Sequence, residues 1–359
     1  MRRHDMQPLA RSAFQDLVDG LPTDLYTLRG TGGIEVAICN HGARLVRVAA
    51  PDGQGGRVDV TLGYDSLAGY LAGQPSMGAF IGRWAGRLRQ GRLRLPDGQV
   101  CQLALNGGAH AVHGGPRGSR FRTFQVDRVQ PDALQLSHIF QPPDDGVPGS
   151  LRLTVRFQVR PDNALHVTWH AEAGLEPTLA QCTLHPFFNL AGQGSALDHL
   201  LQIPAGRYLP LAPDVCPLGT AGPVDGGPFD FRRPRTPREA MAPGHPQLDV
   251  AKGLDHYLVL DPAGHAPGQS GLVAELTCPQ NGLRMQVCST EPGVQVYAGH
   301  GLTGQLPRDL GRGGWHWAPG DGLCLEPMSW PDAPNQPGFP DPWLAPGHSR
   351  HGEIVYRFA

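Results

Sequence analysis

Residues 151–173 read LRLTVRFQVRPDNALHVTWHAEA, and this stretch decides the fold class. Every second residue from Leu151 to Val159 is apolar, and the same alternation resumes from Leu165 to Ala173. Period-2 alternation is typical of a β-strand with one buried face. The Pro161-Asp162-Asn163 segment between the two runs favours a turn. The stretch therefore predicts an antiparallel β-hairpin.

Weaker strand patterns occur along the whole chain, whereas helical periodicity is limited to Pro8–Val18 and a turn around Ser66–Leu71. Many strands with few helices and no βαβ alternation predict an all-β sandwich or barrel with few short helices. We expect one large antiparallel β-sandwich domain over residues 26–359, after an N-terminal extension of residues 1–25. The weaker strands are predicted at Ile34–Ile38, Arg44–Ala49, Leu134–Ile139, Leu272–Thr277, Leu283–Cys288, Val294–Ala298 and Glu353–Phe358.

Composition excludes several function classes for this chain of 359 residues. The formal net charge of -2 gives no basic field for nucleic acid or an anionic membrane surface. Lys252 is the single lysine, which disfavours Schiff-base chemistry and leaves no phosphate-binding G-K-[ST] loop. The seven cysteines include no C-x-x-C pair and predict neither a disulfide framework nor a zinc knuckle. Without a signal-like or membrane-spanning apolar run, we expect a cytoplasmic protein.

A carboxylate near the end of the chain is placed as a general base would be. Residues 324–337 read CLEPMSWPDAPNQP, so Glu326 follows an apolar pair and is confined by the proline after it. Proton transfer needs such a fixed position, because rate falls steeply with misplacement. The alternative interpretation is a surface-loop glutamate.

Four other polar clusters have both a functional and a structural interpretation. Two arginines lie among glycines in IGRWAGRL at 81–88, and two histidines lie in NGGAHAVHGGP at 106–116. A histidine stands among aromatic residues in LHPFFNL at 184–190, and an aspartate follows glycine in GLDH at 253–256. Solvated turns and a satisfied core histidine are the structural alternatives. His110 and His113 are spaced H-x-x-H, but no third ligand accompanies them at metal-site spacing, so we expect no metal.

One glycine motif is dismissed. Residues 299–304 read GHGLTG and match G-x-G-x-x-G, yet Pro307 follows closely and no helix is predicted to open there. Without a helix N-terminus the motif cannot form a pyrophosphate site.

Taken together and in order, these clusters resemble the aldose 1-epimerase (galactose mutarotase) family from about Tyr26 to Phe358. The family's G-R-x-A-N-R-I is matched at 82–88, its N-x-L-H-G-G at 110–115 and its H-S-Y-F-N-L-A-G at 185–192. Further matches are RYLP at 207–210, PFDFR at 228–232, GLDH at 253–256, EPGVQVY at 291–297 and the Glu326 segment through Pro337.

The resemblance implies a galactose mutarotase-like β-sandwich with a sugar cleft, acting on a free monosaccharide as a monomer or homodimer. It implies Glu326 as general base and His185 as general acid in opening and closing the aldose ring, with no cofactor. The implied substrate-binding positions are Gly86, Arg87, His113, Asp255 and Gln295.

Three positions depart from the family pattern, and each loses a polar group: Gly86 replaces asparagine, Pro186 replaces serine and Phe187 replaces tyrosine. We expect all three to lie near the sugar and to shift preference away from galactose. Two other functions stay open. A hexose-6-phosphate mutarotase would need an arginine grip, for which Arg117, Arg120 and Arg122 are candidates. A non-catalytic sugar-binding protein would not need both Glu326 and His185.

Overall fold

The computed structural model describes residues 7–74, 76–142, 144–261 and 268–359, and its largest element is an eight-stranded antiparallel sheet. Residues 1–6 of the predicted N-terminal extension lie outside the described residues. In spatial order the strands of this sheet are Gln125–Val129, Ala133–Phe140, Leu151–Val159, Ala164–Ala173, Ser349–Phe358, Arg284–Ser289, Gly271–Thr277 and Leu200–Gln202.

The predicted hairpin lies at the centre of this sheet. Leu151 pairs with Ala173, Val155 with Trp169 and Val159 with Leu165, so the apolar residues of both strands share one face. That face is buried along its whole length, while the intervening residues are more exposed. Burying a large apolar side chain contributes about 1.5–3 kcal/mol, which fixes the register because a one-residue slip would expose the entire face.

Two smaller antiparallel sheets pack on the same apolar core. The core combines residues of all three sheets, such as Leu153, Val36 and Val296, which is the arrangement of a β-sandwich. In spatial order the four-stranded sheet contains Leu25–Arg29, Glu35–Cys39, Arg44–Pro51 and Arg57–Asp59. The five-stranded sheet contains Gly222–Pro223, Arg207–Tyr208, Asp255–Val259, Gly293–Tyr297 and Cys324–Pro327.

The remaining elements in the described ranges are short. Two-stranded pairs are Asp16–Val18 with Leu21–Thr23, Arg92–Arg94 with Val100–Gln102, Arg87–Leu88 with Ala111–Val112, Thr178–Leu179 with Trp343–Leu344, and Phe80–Ile81 with Thr183–Leu184. The α-helices are Leu67–Ala72, Pro237–Met241 and Pro246–Ala251. The 3₁₀ turns are Arg11–Phe14, Arg89–Gly91, Gly115–Arg117, Ser119–Phe121, Ala196–Asp198, Pro307–Asp309, Arg312–Gly314 and Ala333–Asn335.

The all-β prediction with few short helices is confirmed, and so are all seven weaker strands. The largest boundary difference is in the last strand, which begins at Ser349 instead of Glu353. The predicted turn around Ser66 is confirmed as a short helix capped by the Ser66 side chain, which accepts a bond from the Gly69 N–H. In the described part of the chain, no helix is long and apolar enough to cross a membrane.

The helix predicted over Pro8–Val18 is wrong. Only Arg11–Phe14 forms a 3₁₀ turn, and Asp16–Val18 is the first strand of a hairpin with Leu21–Thr23. Asp19 and Gly20 both adopt positive φ, which an Asp-Gly pair accepts readily and which matches a two-residue hairpin turn. Phe14 is fully buried against the domain, so it packs like a core residue despite its place in the predicted extension.

A buried arginine fixes the segment that carries Gly86 and Arg87. Arg83 is fully buried, and its guanidinium donates to both carboxylate oxygens of Asp145 at 2.9 and 2.6 Å. It also donates to Thr178 Oγ1 at 2.7 Å and to the Gly149 carbonyl at 2.6 Å. The solvated-turn interpretation is therefore wrong for this arginine. Its network ties the segment to neighbouring loops, as a buried charge requires paired and hydrogen-bonded partners.

Candidate active site

A cavity of about 220 Å³ opens at the five-stranded sheet and brings the predicted site residues together. It is lined by Gly86, Arg87, His113, His185, Asp255, Gln295 and Glu326, which are all seven of them. The rest of its lining is Val112, Leu209, Leu211, Val215, Pro217, Tyr257, Tyr297, His300, Met328 and Pro331. We refer to this cavity as the cleft.

Three neighbouring strands of the five-stranded sheet present their polar side chains on one face. Gln295 pairs directly with Glu326 across one ladder, and Tyr257 pairs with Gln295 across the next. Asp255 is two residues from Tyr257 on the same strand and therefore shares its face. The alternate residues Val294, Val296 and Leu325 face the core. The sequence pattern of each strand thus separates a cleft-facing polar set from a core-facing apolar set.

Arg87, Asp255 and Gln295 form one connected group. The Asp255 carboxylate accepts from Gln295 Nε2 at 2.6 Å and from Arg87 Nη2 at 3.1 Å. Burial raises the pKa of Asp255, but the Arg87 charge and the Gln295 hydrogen bond outweigh it, and the net pKa lies below the ordinary value. Asp255 is therefore an ionised acceptor at neutral pH, beside a fixed cation and an amide. Such a set suits neighbouring hydroxyl groups of a sugar.

Glu326 and His185 meet at the buried end of the cleft. Glu326 Oε1 lies 3.3 Å from His185 Nε2, while Glu326 Oε2 and His185 Nδ1 are buried without a partner among the described residues. His185 follows the strand Thr183–Leu184, and its ring stacks on Phe187 with centroids 5.2 Å apart. The surface-loop interpretation of Glu326 is wrong, because Glu326 is 1% exposed and belongs to the strand Cys324–Pro327.

Burial shifts the pKa values of this pair in opposite directions. Desolvation first, and the Asp255 charge second, raise the pKa of Glu326 well above its ordinary value, with Arg87 opposing them. Desolvation lowers the pKa of His185 to about 4. Burial disfavours whichever form is charged, so this environment favours a protonated carboxyl group beside a neutral imidazole.

His113 is fixed by the backbone of Gly86. The backbone N–H of Gly86 donates to the ring nitrogen Nδ1 of His113 at 3.2 Å. The backbone N–H of His113 donates to the Gly86 carbonyl oxygen at 3.0 Å. Gly86 has φ +84, which glycine adopts without strain. Because Nδ1 is the acceptor, a neutral His113 ring carries its proton on Nε2. Burial lowers the pKa of His113 well below its ordinary value and keeps the ring neutral.

Gly114, the residue after His113, is required for close packing of two loops. A Cβ at Gly114 would meet Gly118 Cα at 2.8 Å and the Gly82 carbonyl oxygen at 3.0 Å. Gly114 therefore allows two loops to approach each other and leaves His113 to face the cleft.

The H-x-x-H pair does not converge on one metal site. His110 groups with Asp214 and Cys216, whereas His113 groups with His185 and Glu326, each set having ligand atoms within 4.8 Å of one another. In both histidines Nδ1 already accepts a backbone N–H, from Gln90 at 3.1 Å and from Gly86 at 3.2 Å. With Nδ1 engaged and Nε2 carrying a proton, neither ring offers a free lone pair to a metal.

Of the three departures from the family pattern, only Gly86 lines the cleft. Phe187 lies behind His185, where its ring also contacts Tyr297 edge-on with centroids 5.9 Å apart. Pro186 is buried and does not line the cleft. Gly86 alone of the three therefore lies at the cleft, since the residues after His185 turn into the core.

The arginines proposed for a phosphate grip are engaged elsewhere. Arg120 donates to Ser76 Oγ at 2.7 Å and to the Val112 carbonyl at 3.2 Å, and Arg122 donates to the Arg117 carbonyl at 3.2 Å. None of the three lines the cleft, where Arg87 is the only arginine among the described residues and is paired with Asp255. The three candidate arginines therefore form no phosphate grip at the cleft.

His300, Tyr297 and the apolar lining residues were not identified as site residues from the sequence. Tyr297 could have been found, since it lies two residues after Gln295 on the same strand and so on the same face. His300 was considered only as part of the dismissed glycine motif. That dismissal is consistent with the structure, because residues 299–304 form a loop that is followed by the short 3₁₀ turn Pro307–Asp309 and not by an α-helix.

The chain matches the family model described as aldose 1-epimerase over residues 24–357. It is 33% identical over 356 residues to galactose mutarotase of Bos taurus, covering 99% of both chains. It is 32% identical over 343 residues to aldose 1-epimerase of Escherichia coli K12, covering 95% of this chain and 96% of the relative.

Solved structures show the same fold. An aldose epimerase homologue from C. elegans superposes with a TM-score of 0.85 at 28% identity, covering 94% of this chain and 99% of its own. A galactose 1-epimerase from Lactobacillus acidophilus gives a TM-score of 0.82 at 26% identity, covering 96% of each chain. The predicted galactose mutarotase-like β-sandwich is thereby confirmed.

Proposed function

The chain belongs to the aldose 1-epimerase family of isomerases, and we propose that it interconverts the α and β anomers of a free aldose with Glu326 and His185 as the proton-transfer pair. The observation that carries this proposal is the 3.3 Å separation of Glu326 Oε1 and His185 Nε2 at the buried end of the cleft. A carboxylate and an imidazole this close can reach the two oxygen atoms on one anomeric carbon.

The reaction needs two proton transfers. The Glu326 carboxylate removes the proton of the anomeric hydroxyl group, and the His185 imidazolium gives a proton to the ring oxygen as the C1–O5 bond breaks. The open-chain aldehyde rotates about C1–C2, and the ring closes on the opposite face with both transfers reversed. Each general acid–base contribution is typically worth about a hundredfold to ten-thousandfold in rate.

Burial favours the open-chain stage of this cycle. Ring opening converts an ionised Glu326 and a protonated His185 into a neutral pair, which is the state that desolvation favours for both groups. Both states hold one proton between the two side chains. Activity therefore requires a singly protonated pair, and its pH limits belong to the pair as a whole.

The other predicted cleft residues hold the sugar in this proposal. Asp255 accepts from a sugar hydroxyl group, Arg87 and Gln295 keep the Asp255 carboxylate in place and donate, and His113 donates through Nε2–H. Arg87, Asp255 and Gln295 lie on paired strands and are hydrogen-bonded to one another, and the His113 ring is held by the Gly86 backbone N–H. These side chains are therefore fixed before the sugar binds. Preorganisation of this kind lowers the entropy cost of reaching the reacting geometry.

Polarimetry of freshly dissolved α-aldoses tests the proposal. The wild-type protein should speed the approach to anomeric equilibrium, and Glu326→Gln should not, while Glu353→Gln should match the wild type. Glu353 is a suitable control because it also contacts a histidine, His166 at 3.0 Å, but on the eight-stranded sheet away from the cleft. Sugar binding without any acceleration by the wild type would refute catalysis and support a non-catalytic sugar-binding protein.

A further inference from the structure

His300 is a cleft residue to which neither the sequence nor the family resemblance assigns a role. It follows the strand Gly293–Tyr297, and its ring packs edge-on against Tyr297 with centroids 4.9 Å apart. The ring lines the cleft together with Asp255 and Gln295. It is therefore held in place beside the group of residues that would bind sugar hydroxyl groups.

The two ring nitrogens of His300 have different surroundings. Nδ1 is buried and has no hydrogen-bond partner in the described ranges, whereas Nε2 is not among the buried atoms. Nδ1 packs against Gly253, where a Cβ would come within 2.9 Å of it and where φ is +140. A glycine at 253 thus admits the ring in this orientation, with Nε2 on the side of the ring away from Gly253.

The tautomer follows from this asymmetry. A buried N–H without an acceptor is rarer in proteins than an acceptor lacking a donor, so the ring proton is placed on Nε2. Burial keeps the ring neutral, because it lowers the pKa of His300 more than the nearby Asp255 raises it. His300 then presents one N–H donor to the cleft.

No side chain of the described residues accepts from this donor. The Asp255 oxygens already accept from Gln295 and Arg87. A donor directed into a sugar-sized cavity without a protein partner is matched by a hydroxyl oxygen of the ligand. A site built this way discriminates against analogues that lack the hydroxyl group, because the donor is then left unpaired.

We propose that His300 is a further substrate-binding residue, whose Nε2–H donates to a hydroxyl group of the bound aldose beside the Asp255 position. This inference rests on the proposed function in that it takes an aldose to be the ligand of the cleft. It assigns His300 to specificity and to binding, not to the proton transfers.

Two substitutions separate the ring nitrogens. His300→Gln places an amide near the Nε2 position, and His300→Asn places one near the Nδ1 position. We expect His300→Phe to lower kcat/KM roughly 2- to 12-fold, the range that one net hydrogen bond supports. His300→Gln should restore much of the loss, and His300→Asn should not. His170→Phe on the eight-stranded sheet is the control, since His170 is half-exposed and remote from the cleft.

A panel of monodeoxy aldoses identifies the hydroxyl group. The loss caused by His300→Phe should disappear for one monodeoxy sugar and persist for the others. No loss at all, rescue by Asn instead of Gln, or equal losses with every sugar in a variant that keeps the wild-type melting temperature would each overturn the proposal. Where His300→Phe melts at a lower temperature than the wild type, the comparison of His300→Gln with His300→Asn decides.

Binding measurements keep this test separate from the proposed function. Calorimetric titration with the same sugars gives the binding loss for each variant without relying on turnover. A wild type that binds aldoses but does not interconvert them would refute the catalytic proposal. The binding losses of the His300 variants would still test the His300 proposal. A wild type that binds no aldose would overturn both.

Discussion

Replacing Glu326 with glutamine should separate the basicity of this side chain from its shape. The amide retains the volume of the carboxyl group and a polar atom 3.3 Å from His185 Nε2, but it cannot accept the anomeric proton. We expect interconversion to fall by about 10²- to 10⁴-fold, the usual contribution of a general base. That loss corresponds to about 2.7–5.4 kcal/mol of activation free energy. Sugar binding should survive, because the Arg87, Asp255 and Gln295 group is untouched.

The same substitution should make the fold more stable than the wild-type fold at higher pH. Burial raises the pKa of Glu326 above the unfolded value of about 4.3, so the folded state holds its proton more tightly than the unfolded state. Its stabilising contribution is complete below the unfolded pKa and is lost as the pH rises through the folded pKa. Each unit by which the folded pKa exceeds the unfolded pKa lowers the free energy of unfolding by about 1.4 kcal/mol at high pH. Glutamine does not titrate, so the variant lacks this pH dependence.

Polarimetry measures the loss of activity, and calorimetric melting between pH 4 and 8 measures the change in stability. The melting temperature of Glu326→Gln should rise relative to the wild type with increasing pH. Glu353→Gln should do the opposite, because the hydrogen bond from His166 lowers the pKa of Glu353 and makes its ionised form stabilising. Wild-type turnover in Glu326→Gln would mean that another group is the base. A melting difference that does not grow with pH would refute the burial argument.

Three further results are expected. His185→Asn should lose activity on the same scale as Glu326→Gln, and the wild-type pH profile should be bell-shaped, since the pair must hold one proton; a flat profile from pH 4 to 9 with chemistry limiting would contradict this. Exhaustive EDTA treatment should leave activity intact, because the two proton transfers need no metal and His110 and His113 each accept a backbone N–H at Nδ1; loss that one divalent ion restores would show a metal requirement. Comparison of kcat/KM for galactose, glucose, xylose, arabinose and fucose should show a shift away from galactose, because Gly86 offers no side-chain partner to a sugar hydroxyl group; a tenfold preference for galactose, unchanged in Gly86→Asn, would refute this.

Strand periodicity accounts for the accuracy of the fold prediction. The hairpin of residues 151–173 is fully visible in the sequence because its apolar residues occupy one buried face. The N-terminal segment was misread because its apolar residues also fit a helical spacing. The Asp19-Gly20 pair carries the stronger signal, since both residues adopt the positive φ of a tight hairpin turn.

Site prediction was limited by distance along the chain. Arg87 and Asp255 are separated by 168 residues, and no local pattern shows that their side chains meet. The family motifs supplied the set of residues, but the motif around His185 could not show that Phe187 turns away from the cleft. His300 was overlooked because its surroundings in sequence, two glycines, are typical of a loop. Its role depends on Gly253, which only the folded chain brings close.

The ladder that aligns Gln295 with Glu326 limits how this cleft can change during evolution. A one-residue insertion in either strand would exchange the two faces, burying the polar side chains and exposing Val294, Val296 or Leu325. Point substitutions leave the register intact, and the connecting loops tolerate changes in length. New sugar preferences are therefore expected to arise at single cleft positions and in loops such as 211–217 and 299–304, while the lengths of the strands stay constant.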